Sequence, residues 1–83
     1  MLNIRVKFVA YELTVGLISG YYQIPENATV RDLLSVCEEQ NKATIPAENF
    51  KLMLFILNAK PALLDTPITK DGTLYVTRII VGG

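Results

Sequence analysis

Thr29-Val30-Arg31-Asp32-Leu33-Leu34-Ser35-Val36-Cys37 is the stretch that decides how the rest of the chain is read. Thr29 suits a helix N-cap, because its hydroxyl can accept from the backbone N–H groups that a helix start leaves free, and a carboxylate follows three residues later at Asp32. Val30, Leu33, Leu34 and Cys37 then fall at i, i+3, i+4 and i+7, one apolar stripe, while Arg31, Asp32, Ser35, Glu38 and Glu39 lie largely elsewhere. An amphipathic helix is expected, with its stripe packed on a sheet. Asn41 and Lys42 suit its end.

Upstream, Leu2, Ile4, Val6 and Phe8 alternate with Asn3, Arg5, Lys7 and Val9, the period of a half-buried strand. A break containing Glu12 and Gly16 precedes a second β-rich stretch over residues 17–24, closed by Pro25, which cannot donate to a ladder. Downstream, a loop holding Pro46 leads to six apolar residues, 52–57, without alternation. Such a run fits either a strand covered on both faces or one with a core face and an apolar face kept for a partner. Asn58-Ala59-Lys60-Pro61 and Lys70-Asp71-Gly72 are turn chemistry, and Leu63 and Leu64 between them point to a brief edge strand. A last strand is expected over residues 73–78, with Leu74 and Val76 toward the helix and Tyr75 and Thr77 outward. The order strand, strand, helix, strand, short strand, strand gives an α+β fold: a mixed sheet of four to five strands with one main helix packed across one face.

With 83 residues, 51% of them apolar, the chain can fill one core and not two, so a single domain over 1–83 is expected, with a flexible tail from about residue 79. The formal net charge is zero and there is no histidine. Nucleic acid and membrane are therefore not expected partners, since there is neither a basic stripe nor an apolar run of roughly 20 residues, and no metal site is expected. The single cysteine favours a reducing compartment, and a cytoplasmic location is expected. Cys37 itself lies on the helix stripe, where a free thiol behaves as a small hydrophobe rather than a nucleophile. Glu38 and Glu39 read as a solvated helix face. Tyr11, Tyr21 and Tyr22 read as strand-forming residues, whereas Tyr75 lies close to the tail.

That tail carries the chemistry. After the last strand come Ile79-Ile80-Val81-Gly82-Gly83. At an average glycine usage of roughly 7%, a terminal pair arises by chance in under about one chain in a hundred, and frayed ends are also glycine-rich, so the pair needs its context. The context is a strand, a short apolar stem, and two residues with no side chain to obstruct a narrow channel. Residues 78–83 extend up to about 20 Å. A terminal carboxylate is an anion at neutral pH and a poor electrophile, so it has to be activated from outside, by adenylation and then displacement of AMP by a sulfur or thiol nucleophile. On this reading Gly83 is the reacting residue, Gly82, Val81, Ile80 and Ile79 insert into a partner, and Tyr75, Thr77 and Arg78 form a partner surface.

Val6-Lys7-Phe8-Val9-Ala10 with Glu12-Leu13-Thr14, Ala28-Thr29-Val30-Arg31-Asp32-Leu33-Leu34, Asp65-Thr66-Pro67-Ile68 with Lys70-Asp71-Gly72, and Val81-Gly82-Gly83 together resemble the ubiquitin-like sulfur carriers, among them the small subunit of molybdopterin synthase and the thiamine-biosynthesis sulfur carrier. The likeness spans nearly the whole chain, and its length favours the molybdopterin type. The sequence departs from that type in having no proline just before the tail and in carrying Asn58-Ala59 where Asn-Gly is more usual. The resemblance implies a ubiquitin-like β-grasp fold and a carrier, not an enzyme. It implies that Gly83 is adenylated by a ubiquitin-activating-type adenylyltransferase using ATP and Mg²⁺, none of which the chain binds itself. The resulting thiocarboxylate, its sulfur supplied by a separate donor, would serve an acceptor enzyme such as the molybdopterin synthase large subunit. Two other readings stay open: a ubiquitin-like modifier joined through Gly83 to lysines, and a thiamine-type carrier or plain β-grasp binding module.

Overall fold

The computed structural model describes residues 1–80, so Val81, Gly82 and Gly83 lie outside the described residues. Five strands, β1 (Leu2–Phe8), β2 (Gly20–Ile24), β3 (Met53–Leu57), β4 (Lys60–Ala62) and β5 (Gly72–Arg78), form one mixed sheet in the order β2-β1-β5-β3-β4. The helix α1 (Val30–Asn41) covers one face. β1 runs antiparallel to β2 and parallel to β5, which places the first and last strands side by side at the centre.

The helix starts where the sequence indicates and for the expected reason. Thr29 accepts from the N–H of Asp32 at 3.1 Å while Asp32 accepts from the N–H of Thr29 at 2.9 Å, so two of the free donors of the first turn are satisfied reciprocally. Val30, Leu33, Leu34 and Cys37 are all fully buried. They meet the inward residues of the sheet: Ile4, Val6 and Phe8 of β1, Tyr22 and Ile24 of β2, Leu74 and Val76 of β5, and Met53 and Phe55 of β3, in one cluster with Ile68. Lys42 closes the helix in the left-handed conformation.

Besides a start of β5 one residue early, at Gly72, three element boundaries differ from the sequence reading. The second strand begins at Gly20 rather than residue 17, because the Ser19 hydroxyl, not a backbone carbonyl, takes the N–H of Phe8 and ends the ladder there. Residues Ala47–Leu52 form 3₁₀ turns, so β3 starts at Met53. This segment is tied to α1 by Arg31, whose guanidinium lies 4.8 Å from the centre of the Phe50 ring and pairs with Glu38, which in turn accepts from the N–H of Ile45. The short edge strand is Lys60–Ala62, ahead of Leu63 and Leu64. Asn58 and Ala59 alone make the reversal, and Pro61 is tolerated because an edge strand has one side without ladder partners.

Gly72, at the entry to β5, is required by a close approach. A Cβ there would overlap the side chain of Asn58, whose Oδ1 accepts from the N–H of Thr73 at 2.9 Å. This contact locks the β3–β4 hairpin to the strand that ends at the tail.

Candidate functional site

β5 lies between β1 and β3, and its alternation sends Leu74 and Val76 into the core and Thr73, Tyr75 and Thr77 to the open face. On that face Tyr75 stands opposite Lys7 of β1 and Ile56 of β3, with the Lys7 ammonium 5.8 Å from the centre of its ring. Thr77 stands opposite Leu54, which is 39% exposed while its neighbours Met53 and Phe55 are buried. The apolar run 52–57 is thus resolved in favour of one core face and one apolar face left open. A groove of about 610 Å³ runs along this end of β3, lined by Phe50, Met53, Leu54, Leu63, Leu64 and Ile79.

Arg78 has the parity of Leu74 and Val76, so it does not share the open face with Tyr75 and Thr77. Its Nη1 donates to Oε1 of Glu12 at 2.9 Å. Glu12 also accepts from its own backbone N–H, and these two bonds, the backbone one first, hold its carboxyl below the usual carboxylate range. The N–H of Ile79 donates to the carbonyl of Leu52 at 2.9 Å, carrying the ladder one bond past β5. Ile80 follows with 92% of its surface exposed. The proposed reacting residue Gly83, with Gly82 and Val81, lies outside the described residues.

Cys37 is fully buried, and burial pushes its thiol up to about 12, so the thiolate needed for transfer chemistry is not formed near neutral pH. Among the described residues no group of three or more acidic, cysteine or histidine side chains is placed to hold a metal ion, and no helix is long and apolar enough to cross a membrane. The sequence reading did not single out Leu54, Lys7 or Glu12 for this region. Leu54 was detectable in principle as an apolar residue at an outward position of the run. Lys7 and Glu12 were not, because both reach the tail only through the parallel pairing of strands nearly seventy residues apart.

No family model matches the chain, and no curated protein matches it either. Solved structures do. A Pyrococcus furiosus protein assigned as molybdopterin converting factor subunit 1 superposes with a TM-score of 0.66 at 19% identity, over 96% of this chain and 100% of that one. Small archaeal modifier protein 1 of Haloferax volcanii superposes in two structures, at TM-scores of 0.72 and 0.74 and identities of 18% and 16%. These cover 98% and 96% of this chain and 99% and 100% of the modifier. The fold is a ubiquitin-like β-grasp. In this β-grasp the candidate site is the end of the central last strand, flanked by an open face of Tyr75, Lys7 and Leu54 and by the apolar groove, with the glycine pair following in sequence.

Proposed function

We propose that this β-grasp chain is a carrier whose Gly83 carboxylate is adenylated by a partner enzyme and converted to a thiocarboxylate that donates sulfur in cofactor biosynthesis, of the molybdopterin type. The observation that supports it is the conjunction of a fold shared over 96% of the chain with a molybdopterin converting factor subunit and a Gly82-Gly83 pair that follows the central strand in sequence. The carboxylate attacks the α-phosphorus of ATP and pyrophosphate leaves. A sulfur nucleophile then displaces AMP, which splits one difficult substitution into two easier ones. The chain supplies the arm and the docking face, while ATP, Mg²⁺ and the sulfur donor belong to the activating enzyme, and the acceptor is a separate synthase subunit. The buried Cys37 thiol does not serve as the nucleophile in this scheme.

Intact-mass measurement after incubation with an activating enzyme, ATP and a sulfur donor tests the proposal. Replacement of one oxygen by sulfur, mapped to Gly83, is expected. An unchanged mass, together with an intact pathway in cells lacking Gly83, would remove it.

A second reading, conjugation through Gly83 to lysines of other proteins, is favoured by the likeness to a modifier protein from Haloferax volcanii. It starts from the same adenylate and differs in the final acceptor. Gly-Gly remnants on lysines in digested lysates would establish it, and their absence under all growth conditions would count against it. Loss of activity on appending residues after Gly83 would exclude a plain binding module.

A further inference from the structure

Arg78 is the last residue of β5, and its side chain leaves the sheet where the core has ended. Glu12, which receives it, stands in a 3₁₀ turn, Tyr11–Leu13, that is held on several sides. Leu13 is buried, and the buried Thr14 hydroxyl donates to the carbonyl of Ala10 at 3.0 Å. Nδ2 of Asn49 donates to the carbonyl of Leu13 at 3.1 Å. The N–H groups of Val9 and Ala10 both reach the carbonyl of Val76, at 2.9 and 3.3 Å. On the other side of β5, the N–H of Ile79 is taken by Leu52. Ile80 makes no backbone hydrogen bond to the other described residues.

We propose that Glu12 is a positioning residue for the reactive tail: by holding Arg78 against a fixed turn it makes Ile79 the last anchored point of the chain and sets where the tail enters its partner. This rests on the reading of Gly83 as the activated residue. It also reassigns Arg78, which the sequence offered as part of a partner surface and which the structure shows engaged within the chain. Four residues, Ile80 to Gly83, remain to reach the partner's active site, up to about 14 Å and not the 20 Å of a tail free from Arg78. The partner's reaction centre therefore lies within about 14 Å of Ile79.

Both side chains of the pair are about half exposed, so the effect is graded rather than absolute, about two- to fivefold. The test uses the full chain with Glu12→Gln, Arg78→Gln, Arg78→Glu and the swapped pair Glu12→Arg/Arg78→Glu. Amide exchange at Ile79 is expected to quicken by about two- to fivefold in each single variant, with an unchanged thermal midpoint, and to return to the original rate in the swapped pair. With the activating enzyme, the KM for the chain is expected to rise by a similar factor at constant kcat and to recover in the swap. Unaltered exchange at Ile79 in Glu12→Gln overturns the proposal. So does a swap that restores exchange yet keeps the KM of Arg78→Glu, since the partner would then be contacting Arg78 directly. If no enzyme activates the chain at all, the carrier reading falls, and the exchange measurement still decides whether Glu12 anchors the tail.

Discussion

Asn58 and Ala59 both take positive φ, at 50° and 69°, in the two-residue turn between β3 and β4. Asparagine tolerates this conformation, but alanine places its Cβ against the following carbonyl, which is why the second position of such turns favours glycine. Ala59→Gly is expected to stabilise the protein by about 0.5–1 kcal/mol, after the extra chain entropy of glycine is set against the relieved strain, and a urea unfolding midpoint measures it. At Cys37 the relevant variable is pH. The buried thiol ionises at about 12 against an ordinary value of 9.0, so below pH 9 it is protonated in folded and unfolded chains alike and titration has no effect. As pH rises from 9 toward 12 the unfolded chain releases this proton and the folded chain keeps it, so stability falls. The difference in unfolding free energy between the parent and Cys37→Ala is therefore expected to shrink steadily above pH 9, and a series of urea melts from pH 8 to pH 11 gives the slope. Single residues were legible to the extent that their role is local: the stripe position of Cys37 foretold its burial, and Asn58-Ala59 was readable as a turn. The contact of Gly72 with Asn58 was not, because it joins two turns that sequence alone does not bring together.

Among elements, β3 separates the core face from the open face within two adjacent residues. Phe55 is 5% exposed in the core and Leu54 is 39% exposed on the open face, and both are paired with β5, at Val76 and Thr77. Phe55→Ala is expected to destabilise by about 3–5 kcal/mol, through lost burial and the cavity left behind. Leu54→Gln is expected to change stability by under about 1 kcal/mol and to weaken binding to the activating or acceptor partner, which calorimetry reads directly once that partner is in hand. Equal effects of the two changes on stability would mean that the open face is part of the core after all. The helix and the first strand were legible because a 3.6-residue stripe and strict alternation each have a single physical solution, and Thr29 with Asp32 marked the helix start to the residue. The edge strand was misplaced onto Leu63 and Leu64 because apolar residues signal burial or partner contact as readily as pairing. In β4 the pairing is done by Lys60-Pro61-Ala62, of which only Ala62 is buried.

For the whole molecule, the arrangement around the tail was only half legible. Tyr75 and Thr77 were placed on the open face by alternation and are found there, while Arg78 is paired with Glu12 across the sequence separation that only the β1–β5 pairing closes. That same pairing has a consequence for how the chain is made. Its partners, from Ile4 with Gly72 to Phe8 with Val76, lie nearly seventy residues apart, so the central ladder cannot form on the ribosome until β5 has been synthesised. Contacts at such separation also make for slow folding, because the long loop has to close before any of them is gained. A chain ended at Asp71 is expected to remain unfolded, with amide signals collapsed into the random-coil range of an NMR spectrum, since it lacks the strand that β1 and β3 share. Under the proposed function, nascent and broken chains thereby present no folded platform to an activating enzyme. Only a polypeptide synthesised past Arg78 completes the sheet, and under the proposed function that completion would act as proofreading on which molecules an activating enzyme charges.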